Sequence, residues 1–187
     1  MRTLTAMLLL CCCVAGRNAA AANEVSVESL RREDALEVVC SALVNAPLEL
    51  IWRTLTDYAR LAEFVPGMRR SRVLSREGAV TVVEQAGEAS FLFVTYPIEV
   101  TLASTERSPY VIEASLLKGN LKRLEGAYRI EPQVGGRMLL TWVGVIEALS
   151  MPPLIGELLM RSTIGEQFRG MVREVERRDQ LRRARER

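Results

Sequence analysis

Glu84 and Glu88 stand four residues apart in an alternating stretch, which places both carboxylates on one strand face with Val80, Val82 and Ala86. A glutamate held in an apolar pocket has a raised pKa and can serve as general acid or base, with a tyrosine as helping donor. Glu125 and Glu147 are the other carboxylates open to that role. The plainer reading is a wet strand face, on which such glutamates meet water or arginine, and the alternation favours it. The chain contains no histidine, which removes histidine triads, histidine metal sites and histidine proton shuttles. Neither the cysteines nor the spacing of Asp and Glu offers a metal-ligand set. Gly135-Gly136 reads as a hairpin turn and not as a phosphate loop. No residue is assigned a catalytic role, and nothing calls for a cofactor or a metal.

The second chemistry open to the chain is recognition of apolar matter. Its aromatic candidates are Phe64, Tyr96, Tyr110, Tyr128 and Trp142. Tyr110, Tyr128 and Trp142 share alternating faces with Ile112, Ile130 and Leu140, the faces expected to meet a helix. From that helix, Leu158 and Phe168 would close the opposite wall. Ligand pockets have this character, apolar walls with a few polar anchors. Any one of these residues taken alone is more simply part of a core.

Both chemistries need elements to hold them. Residues 23–35 are polar and read as a loose lead-in. Leu36, Val38, Cys40, Ala42 and Val44 then recur with period two, the mark of a half-buried strand. Pro47 suits the opening of a helix, and Leu48, Ile51, Trp52 and Leu55 fall at i, i+3, i+4 and i+7. Asp57 can cap a second short helix carrying Tyr58, Leu61, Phe64 and Val65, which Pro66-Gly67 ends. Strands follow at 69–76, 80–87, 91–104, 110–117, 122–131 and 137–147, with a break at 87–90 and a turn at Gly119-Asn120. The first carries Arg69, Arg70, Arg72 and Arg76 and reads as a solvated edge. The short turns between them mean an antiparallel meander.

Pro152-Pro153 opens the longest helix, with Leu154, Leu158, Phe168, Met171, Val172 and Val175 at helical spacing. Gly156, Gly165 and Gly170 interrupt it, each at a cost of about 1 kcal/mol against alanine. They suggest close approach of a ligand or a strand, so a large residue at Gly165 is expected to weaken ligand binding more than folding. An antiparallel sheet needs its apolar face covered, and only this helix is large enough to cover it. The expected class is α+β, a curved antiparallel sheet wrapped around a long C-terminal helix, with two short helices after the first strand.

The termini carry their own signals. Arg2, the uncharged apolar stretch 4–16 and the small residues 19–22 read as a cleaved signal peptide spanning 1–22, and hence an exported protein, periplasmic or secreted. Its loss takes Arg2 and Arg17 from the 25 basic residues and leaves 23, against 23 acidic. A neutral mature chain gives no argument for nucleic acid as partner. Cys11, Cys12 and Cys13 leave with it, so Cys40 has no disulfide partner and reads as a buried small hydrophobe. Residues 173–187 hold seven arginines against four acids. Transient contact with anionic lipid is the functional reading of this basic end. A solvated helix terminus is the plainer one, since interleaved acids blunt the field.

This order of elements resembles the START-like, helix-grip superfamily, also called SRPBCC, and within it the polyketide cyclase/dehydrase and coenzyme-Q-binding branch. The residues that carry the likeness are 46–58 (APLELIWRTLTDY), 61–68 (LAEFVPGM), 119–128 (GNLKRLEGAY) and 152–156 (PPLIG), then a helix ending near 174–178. The likeness spans 36–178, leaving 179–187 as a basic tail. Many relatives have Gly-Asp-Phe where this chain has Gly119-Asn120-Leu121, and Trp in place of Tyr128. The resemblance implies a helix-grip fold whose cavity holds a small hydrophobic ligand such as a lipid, a quinone or a polycyclic molecule. It also leaves open a cyclase or dehydratase using a buried Glu and a Tyr, or a protein-interaction module.

Overall fold

The computed structural model describes residues 24–91, 93–148 and 153–187. The stretch read as a leader, 1–22, lies outside them, as does the start of the Pro152-Pro153 pair. The elements run β1 (Ser26–Arg32), β2 (Ala35–Val44), α1 (Leu48–Leu55), a 3₁₀ turn (Tyr58–Glu63), β3 (Met68–Glu77), β4 (Val80–Phe91), β5 (Val94–Arg107), β6 (Val111–Gly119), β7 (Leu121–Pro132), β8 (Met138–Ala148) and α2 (Pro153–Arg185). All eight strands join one antiparallel sheet in the order β1-β2-β8-β7-β6-β5-β4-β3. The sheet is curved, and α2 lies across its apolar face.

The alternation in β2 becomes burial of Leu36, Val38, Cys40, Ala42 and Val44 beneath the helix. Cys40 is fully buried, and desolvation pushes its thiol up to about 11. β3 is an edge strand, its arginines exposed and its register bulged, two features that discourage further pairing. In α1, Pro47 sits just before the first helical residue, and its carbonyl accepts from the Leu50 and Ile51 amides.

Three local expectations need correction. The lead-in is not loose, because β1 pairs with β2 along its whole length, from Ser26↔Ser41 to Arg32↔Ala35. Its polar alternation is that of an edge strand with one wet face. The break expected at 87–90 is strand, since β4 and β5 pair without interruption from Val80↔Thr105 to Phe91↔Val94. Gly87 is there because of a neighbour: a side chain on it would strike Gly67 and Met68 as the chain enters β3. Asp57 makes no side-chain cap, because its carboxylate accepts from Arg178 Nη2 at 2.8 Å instead.

The helix glycines serve the protein's own packing. Gly165 is buried against Val27 of β1, whose Cγ2 would stand 3.2 Å from an added Cβ. Of the two partners expected at Gly165, a ligand or a strand, the structure places the strand there. Gly170 lets α2 pass directly over the 3₁₀ turn, and an added Cβ would lie 2.7 Å from the Phe64 carbonyl oxygen and collide with Pro66. The two sites should respond oppositely to alanine. At Gly165, Val27 can yield and helix propensity improves by about 1 kcal/mol, so G165A should hold or slightly raise Tm. At Gly170 the obstacles are backbone and a proline ring. G170A should cost about 2 kcal/mol by overpacking, a fall of roughly 4–8 °C in Tm for a chain this size. Equal melting temperatures for the two variants would refute the distinction.

Candidate ligand cavity

A cavity of about 210 Å³ lies between the sheet and α2, far more than the ~10–15 Å³ that one water needs. Its origin is a row of small residues in register across four strands. Ser104 pairs with Ala114, Ala114 with Gly126, and Gly126 with Gly144. Where large side chains on this face would meet the helix, the row leaves a trough. The Trp142 indole lies back over its floor: a Cβ at Gly126 would stand 3.0 Å from Trp142 Cζ2, and one at Gly144 would collide with the same ring. Around the trough, β4, β5, β6, β7 and β8 contribute Val83, Val100, Leu102, Ile112, Leu124 and Ile146.

The helix wall is one stripe. Met160, Thr163, Ile164, Gln167, Phe168 and Met171 recur at helical spacing and all line the cavity. The Tyr128 ring stacks on Phe168 with centroids 6.3 Å apart and planes within 9°, joining sheet to helix across one side of the space. Tyr128 keeps some accessible surface only because it faces this hollow. Burial, with Cys40 close by, pushes its phenol well above the usual range. Tyr58 reaches in from the 3₁₀ turn, its hydroxyl 2.9 Å from Ser104 Oγ. Burial pushes its pKa up to about 12. Both phenols stay neutral at ordinary pH.

Tyr128, Trp142 and Phe168 are thus brought together on the cavity wall, and the other four aromatic and aliphatic candidates are not. Phe64 lies under the Arg178 guanidinium, 5.3 Å from ring centroid to Cζ, and is not among the residues that line the hollow. Tyr96 shares the inner face of β5 but sits one step beyond Ile98, outside the cavity, where its hydroxyl donates to the Asn120 carbonyl at 3.1 Å. Tyr110 is 47% exposed because it belongs to the turn before β6, so strand alternation does not extend to it. Leu158 is 49% exposed. It lies two residues, about 200° of helix, from the Met160 position on the inner stripe. The residues that sequence reasoning missed are the small ones that make the hollow. Glycine inside a strand marks close approach, so Gly126 and Gly144 were the available signal.

The carboxylates occupy different places. Glu84 is ion-paired with Arg70 at 2.9 Å and Arg72 at 3.0 Å on the outer face of the sheet. Glu125 pairs with Arg123 at 2.8 Å, and Glu147 pairs with Lys122. None of these three lines the cavity. Glu88 borders it as a residue, but it shares the strand face of Glu84 and its carboxylate is paired with the exposed Arg69. The cavity interior is therefore free of charge. Among the described residues, no group of three or more Cys, Asp or Glu side chains is placed to hold a metal ion.

Solved structures share this architecture. The Zhui aromatase/cyclase from Streptomyces sp. R1128 is similar with a TM-score of 0.68 and 16% identity, over 77% of this chain and 95% of that one. A START superfamily protein from Mycobacterium smegmatis matches at 0.65 and 19%, over 75% and 97%. A STAR-related lipid transfer protein from Xanthomonas axonopodis matches at 0.66 and 11%, over 82% and 93%. At these identities the likeness is one of fold. No curated protein matches by sequence. The sequence profile of one family matches residues 44–180, a stretch that runs from the end of β2 almost to the end of α2 and contains every wall of the cavity. With that profile covering most of the chain and the helix-grip fold beneath it, the protein belongs to the family described as polyketide cyclase/dehydrase and lipid transport.

Proposed function

We propose that this protein is a carrier or binding protein for one small hydrophobic molecule, acting outside the cytoplasm. The observation that carries this reading is the uncharged, mainly apolar hollow of about 210 Å³ between sheet and helix. Burial of an apolar guest there releases about 25 cal/mol for each Å² removed from water. The export part rests on Arg2, the apolar stretch 4–16 and the small residues at 19–22. Transient membrane contact through the basic end of α2 is a further part of the reading. Its field is weakened by pairing, since Arg177, Arg178, Arg182 and Arg183 are each tied to Glu174 or Asp179. The test is native purification from the extracytoplasmic fraction, with mass spectrometry of bound material and of the N-terminus. A co-purifying apolar molecule on a chain beginning near residue 23 is the expected result. An intact N-terminus in the cytoplasm would remove the export, and absence of both bound ligand and probe uptake would remove the carrier.

A cyclase or dehydratase is the second reading, favoured by one observation: Glu88 and Tyr128 are both among the residues that border the cavity. Turnover of a β-hydroxyketone probe, abolished in E88Q, would establish it, whereas binding without turnover supports the carrier.

A further inference from the structure

The indole nitrogen of Trp142 is a polar atom without a partner in the wall of the hollow. It makes no hydrogen bond to any described residue. It is also not sealed off. Among the described residues, the one unpaired side-chain atom shut away within the packing is Thr163 Oγ1, so Trp142 Nε1 keeps open surface. That surface faces inward. Leu140 and Ile146 share the strand face of Trp142 on either side of it, and both are buried. The ring leans along this face over Gly126 and Gly144, and Nε1 would stand 3.2 Å from a Cβ added at Gly126. Gly126 and Trp142 both line the cavity. The nitrogen therefore lies in the small-residue row itself, where the missing side chain of Gly126 leaves room beside it. An indole N–H can only donate. In the empty protein the hollow is wide enough for water to serve this donor, at ~30 Å³ for each molecule. A guest that displaces such water gains only by bringing an atom that accepts in its place.

We propose that Trp142 Nε1 is the polar anchor of the cavity and selects a neutral, apolar ligand that carries a carbonyl oxygen. This deepens the carrier reading and rests on it. A bare hydrocarbon would leave the donor unpaired, at about 1–3 kcal/mol. An amine or ammonium would set a donor against a donor. A carboxylate could accept, but no Lys or Arg lines the cavity to replace the water it gives up. A carbonyl offers two lone pairs and no proton of its own in need of a partner. The rival anchor is Tyr128, whose hydroxyl is also unpaired. Its ring is committed to the stack on Phe168 at one side of the hollow, whereas the indole nitrogen lies over Gly126 on the trough floor.

Indane, 1-indanone and indane-1-carboxylate share one bicyclic frame and separate these classes. Their affinities for the full chain are read by displacement of an apolar dye at pH 7. Without an anchor, indane binds tighter than indanone, because the carbonyl leaves water for nothing. With the anchor the order reverses, and indanone should bind about fivefold tighter, the worth of one neutral hydrogen bond. The carboxylate should bind at least ~10-fold more weakly than indanone. A second readout needs no variant. The chain has two tryptophans, and Trp52 does not line the cavity, so its indole N–H signal in a nitrogen–proton correlation spectrum is the internal control. Indanone should move the Trp142 indole proton downfield, as a hydrogen bond to a carbonyl does. Indane should not, and Trp52 should ignore both. W142F keeps an aromatic ring and removes the N–H, and it should cancel or reverse the preference for indanone. Y128F should keep that preference. Indane binding tighter than indanone, no downfield shift at Trp142, or a preference lost in Y128F but kept in W142F would each overturn the anchor, while dye uptake leaves the carrier standing. Should W142F not fold, the shift in the native chain decides. Failure of the dye and of every probe to bind would overturn both.

Discussion

Ala114→Phe is expected to abolish uptake of an apolar probe while leaving the protein folded. Ala114 sits on the inner face of β6, between Ser104 and Gly126 in the row of small residues that makes the trough. A phenyl ring placed there occupies the space a guest would take. If the guest loses the burial of one large side-chain equivalent, about 2.7 kcal/mol, binding weakens ~100-fold. The ring meets empty volume rather than packed neighbours, so the overpacking that usually accompanies small-to-large changes is relieved. Tm should stay within about 4 °C, equivalent to roughly 1 kcal/mol. Leu158→Ala is the matched control, since that side chain lies on the outer side of α2. It should leave uptake unchanged. Fluorescence titration of an apolar dye with both variants measures the effect, and undiminished uptake by A114F would show that the hollow is not where the guest sits.

The order of elements was legible because periodicity reports burial directly. The alternation in β2 and the turn residues at Gly78, Gly119 and Gly135 each correspond to a real boundary. What failed were places where a partner decides the outcome. Residues 26–32 look like a loose polar lead-in until β2 is seen beside them. Gly87 looks like a strand break until Gly67 is seen against it. The site divides in the same way. Tyr128, Trp142 and Phe168 were found because large aromatics on an inner face must line whatever space exists there. Tyr110 and Leu158 were misassigned by carrying a strand or helix phase one step too far. The hollow itself follows from Ala114, Gly126 and Gly144 aligning across three strands, and that alignment depends on register, which periodicity within one strand does not contain.

Glu174→Ala should be the most damaging single substitution to stability outside the apolar core. Glu174 is 6% exposed on α2, and its carboxylate accepts from Arg177 Nε at 2.6 Å and from Arg178 Nε at 2.7 Å. Arg178 continues to Asp57 at 2.8 Å and covers the Phe64 ring, so one carboxylate fixes the arginine that ties α2 to the turn after α1. Removing it leaves a largely buried guanidinium with half its partners, a loss of about 3 kcal/mol and roughly 6–12 °C in Tm. The effect depends on pH in a defined direction. The hydrogen bonds from Arg177 first, and then Arg178, hold Glu174 below its ordinary 4.5 in the folded chain. Its contribution is therefore complete above pH 4.5 and is lost as pH falls through the lower folded value. The gap between wild type and E174A should be full at pH 7 and should close on acidification below about 4.5. Thermal melts of both proteins between pH 7 and 3 measure it. A gap that stays constant across that range would mean that the carboxylate contributes by shape and not by charge, in which case Glu174→Gln, which keeps the shape, should restore wild-type melting at every pH.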